Sequence, residues 1–256
     1  MDAATNIIDL PPKSAGSKTA LVLSGGGARA AYQVGVLKAV SEILPRQAGN
    51  PFPIVCGTSA GALNAVAIAT FASRFRLGVH GLETVWRNFS SKQVYRTEFL
   101  GLVGRGSRWL SALFLSGLGA KRPVSLLDNA PLAQLLERML RFDRIQQAIE
   151  RGDLHAVSVT CSGYSSGESV SFFEAAREVG GWRRNRRLGV RSRLGLRHLL
   201  ASSAIPALFP AVQLNREYFG DGSVRQLAPL SPALHLGADR ILVVGVSGSE
   251  EMLARG

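Results

Sequence analysis

Residues 53–72 read PIVCGTSAGALNAVAIATFA, and the architecture follows from them. Pro53-Ile54-Val55-Cys56 is a short apolar run of strand type, Gly57-Thr58-Ser59-Ala60-Gly61 is a turn, and Ala62–Ala72 is apolar on nearly every side. An apolar strand without two-residue alternation is covered on both faces, and a helix apolar all round belongs in the interior. Strand, tight turn and buried helix in succession make one unit of an open α/β sheet. The same unit stands upstream: Thr19–Leu23 is aliphatic, Ser24-Gly25-Gly26-Gly27 is a glycine loop, and Val36, Leu37, Val40, Ile43 and Leu44 share a helical face before Pro45.

Further along, Leu132, Leu135, Leu136, Met139 and Leu140 form an amphipathic stripe behind Pro131, a residue suited to a first helical turn. His155–Cys161 and Ser169–Phe173 read as strands around the turn Ser165-Ser166-Gly167. An arginine-rich segment, a short helix near 196–203, and strands at Glu217–Phe219 and Ile241–Val246 follow. Strands alternating with helices predict a three-layer α/β/α fold with a predominantly parallel central sheet. The chain divides into a polar leader over residues 1–18 and one domain over 19–256. Within that domain, residues 75–125 carry Gly, Ser and Arg among scattered aromatics and read as a surface insertion or lid.

The 256 residues are 46% hydrophobic and 19% charged, which excludes a disordered chain, and 28 Gly with 11 Pro show no collagen period. The net charge of +12 favours anionic partners without choosing among them. Cys56 and Cys161 stand far apart in apolar surroundings, so they read as core residues and supply neither a disulfide framework nor a metal or redox motif. The opening residues lack the apolar core of a secretory signal, which predicts a cytoplasmic chain. The apolar runs Ala60–Ala72 and Trp109–Leu118 are too short to span a bilayer. Membrane contact is therefore expected to be peripheral, at the inner membrane surface.

Gly57-x-Ser59-x-Gly61 sits where a strand gives way to a helix, the setting of a nucleophile elbow; the plain alternative is a tight Gly/Ser turn. Gly25-x-Gly27-x-x-Ala30 has three readings. It fits a dinucleotide fingerprint with Glu42 as ribose carboxylate, an oxyanion hole made of successive N–H groups at a helix start, or a connection without a ligand. Parallel neighbouring strands would bring this loop and Ser59 to one sheet edge, which favours the oxyanion reading. A serine needs a base, and none of His80, His155, His198 or His235 lies in a catalytic string. Asp221-Gly222-Ser223, after Glu217-Tyr218-Phe219-Gly220, offers a carboxylate in a glycine-flanked turn, although Asp-Gly is ordinarily just a turn. A triad Ser59…Asp221…His235 has the α/β-hydrolase chain order, but His235 also suits a packed helix behind Ser231-Pro232.

Five segments in order, Leu23–Arg29, Tyr32–Leu37, Gly57–Asn64, Ala201–Pro210 and Asp221-Gly222, make the chain resemble the bacterial patatin-like phospholipases, a family of serine acyl hydrolases, over roughly residues 19–246. The resemblance implies an α/β/α fold and a Ser–Asp dyad with Ser59 as nucleophile and Asp221 as base. It implies an oxyanion hole at Gly25, Gly26 and Gly27, with Arg29, Gly57, Gly61 and Gly222 as supporting motif residues. The implied substrate is an acyl lipid, and neither metal nor cofactor is implied. Two positions depart from the family pattern: Ala30 replaces the last glycine of the loop, and Ser223 stands where Gly or Ala is usual, close enough in sequence to alter the basicity of Asp221.

Seven arginines and no acid fall within residues 182–198. Arg183, Arg184, Arg186, Arg187, Arg191 and Arg193, interleaved with Trp182, Val190 and Leu194, suit an anionic lipid interface, where each basic residue adds about 1 kcal/mol; the plain alternative is a solvated loop. A nucleic-acid arm ranks below both, since no nucleic-acid fold accompanies it. Three classes thus stand: a lipid acyl hydrolase, an NAD(P)-binding oxidoreductase using Gly25–Ala30, and a catalytically weak lipid- or nucleic-acid-binding protein.

Overall fold

In a computed structural model, which describes residues 17–88, 127, 129–226 and 229–246, the two strand–loop–helix units stand side by side. Strand β1 (Thr19–Leu23) leads through Ser24–Gly26 and a short 3₁₀ turn, Gly27–Ala30, into helix α1 (Ala31–Ile43). Strand β2 (Ile54–Thr58) leads through Ser59 into α2 (Ala60–Thr70). The elements then run α3 (Phe75–Arg87), α4 (Ala130–Met139), α5 (Asp143–Glu150), β3 (Ala156–Gly163), β4 (Ser169–Ala175), β5 (Trp182–Arg184) and β6 (Arg187–Arg191). They end with α6 (Leu196–Ser202), β7 (Val212–Leu214), β8 (Glu217–Asp221), α7 (Leu230–His235) and β9 (Arg240–Val244).

The strands form one mixed sheet of order β5-β6-β4-β3-β2-β1-β9. The run β9-β1-β2-β3 is parallel, as the continuous apolar strands required, and β4 and β6 are also parallel to each other. Antiparallel pairings join β3 to β4, β5 to β6, and β8 to both β3 and β7. β2 pairs with β3 as far as Thr58 opposite Thr160, and the next residue of β3, Cys161, faces Asp221 of β8. Because β4 occupies the other edge of β3, β8 takes the slot on β3 that β2 has just vacated. That head-on approach sets the site.

The layers are unequal. Leu21, Leu23, Val55, Val157 and Val159 face a large core filled from α1, α2, α3, α4, α5 and α6. On the opposite face Ala20, Val22, Ile54, Cys56 and Phe173 meet Ala233 and Leu236, and among the described residues α7 is the helix there. Each fully buried aliphatic side chain contributes about 1.5–3 kcal/mol of transfer free energy, so α2, buried along nearly its whole length, is fixed by the core and carries its N-terminal residue with it.

Two segments depart from expectation. Residues 75–125 were expected to be one loosely patterned insertion, yet Phe75–Arg87 is a helix of the main body, with Phe75, Val79 and Leu82 buried and Trp86 packed beside them. Gly78 and Gly81 dilute that stripe in the sequence; Gly78 is needed because a Cβ there would press on the Phe71 side chain, 2.7 Å from its Cβ. The remainder of the expected lid, residues 89–125, lies outside the described residues, as does most of the 1–18 leader. The arginine-rich segment had a solvated loop as its plain alternative; it contains the β5–β6 hairpin at the sheet edge. Among the described residues, no helix is long and apolar enough to cross a membrane.

Candidate active site

Ser59 occupies the sharp corner between β2 and α2 with φ 54°, in the left-handed region that a non-glycine residue adopts only under constraint. The constraint is visible on both sides. A Cβ on Gly57 would lie 2.5 Å from the Ala62 Cα, and one on Gly61 would meet the backbone of Leu23 and Ser24, so the chain turns as tightly as its main chain permits. The Ser59 N–H donates to Ser202 Oγ at 2.9 Å, and the Ser202 hydroxyl donates to the Thr160 carbonyl at 2.6 Å. These bonds clamp the elbow to β3 and α6.

The Ser59 Oγ donates to Asp221 Oδ2 at 2.6 Å. Asp221 ends β8, its N–H bonded to the Ala204 carbonyl at 2.8 Å, and its Oδ1 accepts the Ser223 N–H at 2.8 Å. Gly222 lets β8 pass over β3, since a Cβ there would run into the Thr160 carbonyl. Ser59 and Asp221 are 6% and 4% exposed. Burial raises the Asp221 pKa above the ordinary aspartate value, opposed by the Ser59 hydroxyl and the Ser223 N–H. A carboxylate so placed is a stronger base than one in water, and it is held on the atom whose proton it would take. Its charge also adds to burial in raising the Tyr164 phenol.

The glycine loop packs directly on Ser59. A Cβ on Gly25 would lie 3.2 Å from the Ser59 Cβ and collide with the Ser223 hydroxyl. Gly27 takes φ 56°. Among the described residues, the N–H groups of Gly25 and Gly26 have no acceptor, and they precede a helix start, where main-chain donors and the dipole favour negative charge. The Ser59 N–H is taken by Ser202 and cannot serve as such a donor. Buried polar side chains hold the loop. Gln33 Nε2 donates to the Ser24 carbonyl at 2.8 Å, Asn64 Nδ2 to Gln33 Oε1 at 2.9 Å and to the Ala30 carbonyl at 3.2 Å, and Trp86 Nε1 to Asn64 Oδ1 at 2.8 Å.

Ser59, Asp221, Gly25, Gly26, Gly27, Gly57, Gly61 and Gly222 are thus brought together, with Arg29 exposed on the 3₁₀ turn beside them. Sequence reasoning missed Ser202, Gln33, Asn64 and Trp86. Polar residues inside the apolar helix 62–72 and beside the glycine loop were the available signal. His235 does not join the dyad: its ring lies edge-on to Trp182 at 5.0 Å, while the Asp221 oxygens bond Ser59 and Ser223. Glu42 lies on α1 rather than at the end of the second strand, where a ribose-binding acid stands, so the dinucleotide fingerprint lacks its carboxylate. Among the described residues no three His, Cys, Asp or Glu gather to hold a metal.

The six arginines divide. Arg183 pairs with Glu168 at 2.9 Å, and the Arg191 guanidinium bonds the carbonyls of Ala175 and Ala176 at 2.8 and 2.7 Å. Arg184, Arg186 and Arg187 surround the hairpin turn, and Arg193 is exposed beyond β6.

Comparison with known proteins agrees with this geometry. The chain is 30% identical over 216 residues to a cGAMP-activated phospholipase of Pseudomonas aeruginosa, covering 84% of this chain and 55% of the relative. It is 50% identical over 54 residues to the lysophospholipase nte1 of Aspergillus terreus, covering 21% of this chain and 3% of that protein. The chain therefore spans about half, or much less, of the length of the curated relatives it matches. VipD from Legionella pneumophila shares the fold, with a TM-score of 0.51 at 14% identity over 91% of this chain and 50% of VipD. The sequence profile described as patatin-like phospholipase matches residues 21–234, and the chain belongs to the patatin-like phospholipase family.

Proposed function

We propose that the chain is a lipid acyl hydrolase that cleaves carboxylic ester bonds of phospholipids or related acyl lipids through a Ser59–Asp221 dyad. Asp221 takes the Ser59 proton as Oγ attacks the ester carbonyl carbon, and the N–H groups of Gly25, Gly26 and Gly27 hold the developing alkoxide. The tetrahedral species collapses with loss of the alcohol, which takes the proton from Asp221, and leaves an acyl-Ser59. Water then attacks the acyl carbon, gives its proton to Asp221 and releases the fatty acid as that proton returns to Ser59. The observation carrying this reading is the buried 2.6 Å hydrogen bond from a left-handed elbow serine to a carboxylate; the names of the phospholipase relatives support the substrate class.

A second reading concerns where the enzyme works. The hairpin turn bearing Arg184, Arg186 and Arg187 and the end of β2 bearing Ser59 lie toward the same end of the sheet, because Ser169, bonded to the Arg186 carbonyl, faces Ser162 near the end of β3. That favours peripheral contact with an anionic membrane surface on the side where substrate enters, and a cytoplasmic setting fits the free, buried thiols of Cys56 and Cys161.

The test is a serine-directed fluorophosphonate with hydrolysis of an acyl ester measured in parallel. The native chain should label and hydrolyse, and Ser59→Ala should do neither while melting at the native temperature. Labelling or turnover that survives in Ser59→Ala would refute the assignment.

A further inference from the structure

The nitrogen of His235 opens a different question. Its Nε2 is buried and, among the described residues, has no hydrogen-bond partner. The His235 residue is part of the wall of an open cavity of about 670 Å³ between the β5–β6 hairpin and α7, together with Arg184, Asn185, Arg186, Arg187 and Ser231. Among the described residues, that wall holds three guanidinium groups, an amide, a hydroxyl and an imidazole, and no carboxylate. Arg183, on the same hairpin, has its acid in Glu168, whereas none of these three arginines has an ion pair among the described residues. A concentration of like charge without counter-charge repels itself unless an anion settles it.

Two further observations agree. Arg186 takes φ 57° at the hairpin turn, a conformation for which glycine or asparagine is the easy choice. The strained backbone holds a charged residue at the mouth of the cavity where a small neutral one would fit with less strain. His235 is held in place by its edge-on contact with Trp182, which itself stacks on Phe173 at 5.0 Å, so the imidazole is preorganised. Burial and the neighbouring Arg184 charge lower its pKa, an effect that an anion on Nε2 would oppose.

We infer that this cavity is a phosphate-ester binding site, separate from the Ser59–Asp221 centre, in which the forked guanidinium groups of Arg184, Arg186 and Arg187 grip phosphate oxygens and His235 Nε2, with the Ser231 hydroxyl, completes the shell. Guanidinium forks match phosphate oxygens two at a time. A cavity of this size has room for the esterified group beside the phosphate. The phosphate can come from an anionic lipid headgroup at the membrane surface or from a free phosphorylated metabolite. The inference rests on the anionic-contact reading above and narrows it to one pocket.

The test uses the full chain carrying Ser59→Ala, so that lipid is bound and not consumed. Inorganic pyrophosphate is titrated calorimetrically, and binding is measured to vesicles of phosphatidylcholine alone or with phosphatidic acid added. Arg186→Gly removes the charge and suits the left-handed backbone, and His235→Phe keeps the aromatic contact with Trp182 but removes the nitrogen. Arg193→Gln, outside the pocket, removes the same charge as Arg186→Gly.

Arg186→Gly should weaken binding about fivefold, the effect of one basic residue near a charged surface, and His235→Phe should also weaken it, while Arg193→Gln has the smaller effect. Pyrophosphate binding that responds in this way assigns the site to free phosphates, and a response confined to vesicles assigns it to headgroups. Equal losses in Arg186→Gly and Arg193→Gln, with none in His235→Phe, would overturn the pocket and leave only a diffuse basic surface. No binding of either probe would overturn both.

Discussion

Replacing Asp221 by Asn should lower activity and raise stability together. The carboxylate is 4% exposed and receives two hydrogen bonds, from the Ser59 hydroxyl and the Ser223 N–H. Asn keeps one acceptor oxygen for the Ser223 N–H, and its amide NH2 can donate to the Ser59 Oγ in place of the bond that Oγ now donates, so the elbow and the end of β8 keep their positions. What disappears is the capacity to hold a proton, and a positioned general base contributes about 10²–10⁴ in rate. Stability moves the other way. Burial raises the folded pKa of Asp221; a raised acid adds stability below its unfolded pKa and loses that contribution as pH rises through the folded value. At neutral pH the ionised group therefore opposes folding, and a neutral amide relieves that cost. The assay pairs ester turnover and fluorophosphonate labelling with thermal melting at neutral and acid pH. Asp221→Asn should lose two to four orders of magnitude in turnover, melt at or above the native midpoint near neutrality, and lose that advantage in acid. Turnover within tenfold of native, or a clear fall in melting temperature at neutral pH, would refute the reasoning.

The acid limb of the native kcat/KM profile should lie above the range of an ordinary aspartate, because Asp221 must be ionised to accept the Ser59 proton and burial raises its pKa; a limb at or below that range would contradict the assignment. Gly25→Ala places a methyl against the Ser223 hydroxyl and 3.2 Å from the Ser59 Cβ, so it should displace the donor loop and cost about 10²–10³ in kcat. Gly25→Ala combined with Ser223→Gly should recover part of that loss, and a double variant no better than the single one would show that the clash is elsewhere. Ser202→Ala leaves the buried Ser59 N–H without its acceptor, a loss of about 1–3 kcal/mol, which in a chain of this length lowers the melting midpoint by about 2–4 °C per kcal/mol; an unchanged midpoint in calorimetry would argue against the clamp.

The parts of the fold that could be read in advance are those whose signal is local. Thr19–Leu23 and Ile54–Thr58 are buried on both faces and so appear as unbroken apolar runs, each followed by glycines that a close main-chain approach requires. The dyad's two residues could be named, but not the reason they meet: β8 fills the position on β3 beyond β2, a pairing between residues 60 apart in the chain that no local pattern encodes. The Phe75–Arg87 stripe was present at helical spacing but diluted by two glycines and several polar residues. The β5–β6 hairpin escaped because its strands are three and five residues long, carry arginine on both faces and turn at Asn185-Arg186 without a glycine. Ser202 lay within a quoted segment, yet a hydroxyl that clamps an N–H across 143 residues has no sequence signature at all.

In the proposed reaction, that long-range clamp would let two residues suffice where serine hydrolases with a triad use three. In a triad the third group holds a mobile imidazole in the right tautomer and orientation. Here the base is a short side chain at the end of a paired strand. Its N–H is fixed to Ala204, its Oδ1 to Ser223 and its Oδ2 to Ser59. A carboxylate has no tautomer to choose, so orientation is set by the main chain. The same segment, Ala201–Ala204, holds both partners: Ser202 accepts from the nucleophile's N–H and Ala204 from the base's. Anything that shifts α6 should therefore move Ser59 and Asp221 together, preserving their 2.6 Å contact while changing their distance to the glycine loop, whose Ser24 carbonyl is held by Gln33 of α1. The Gln33 anchor should thus bear on turnover more than on proton transfer within the dyad. Gln33→Leu should lower kcat by releasing the loop while leaving the acid limb of the pH profile in place. A shifted limb would show instead that loop and dyad are mechanically one.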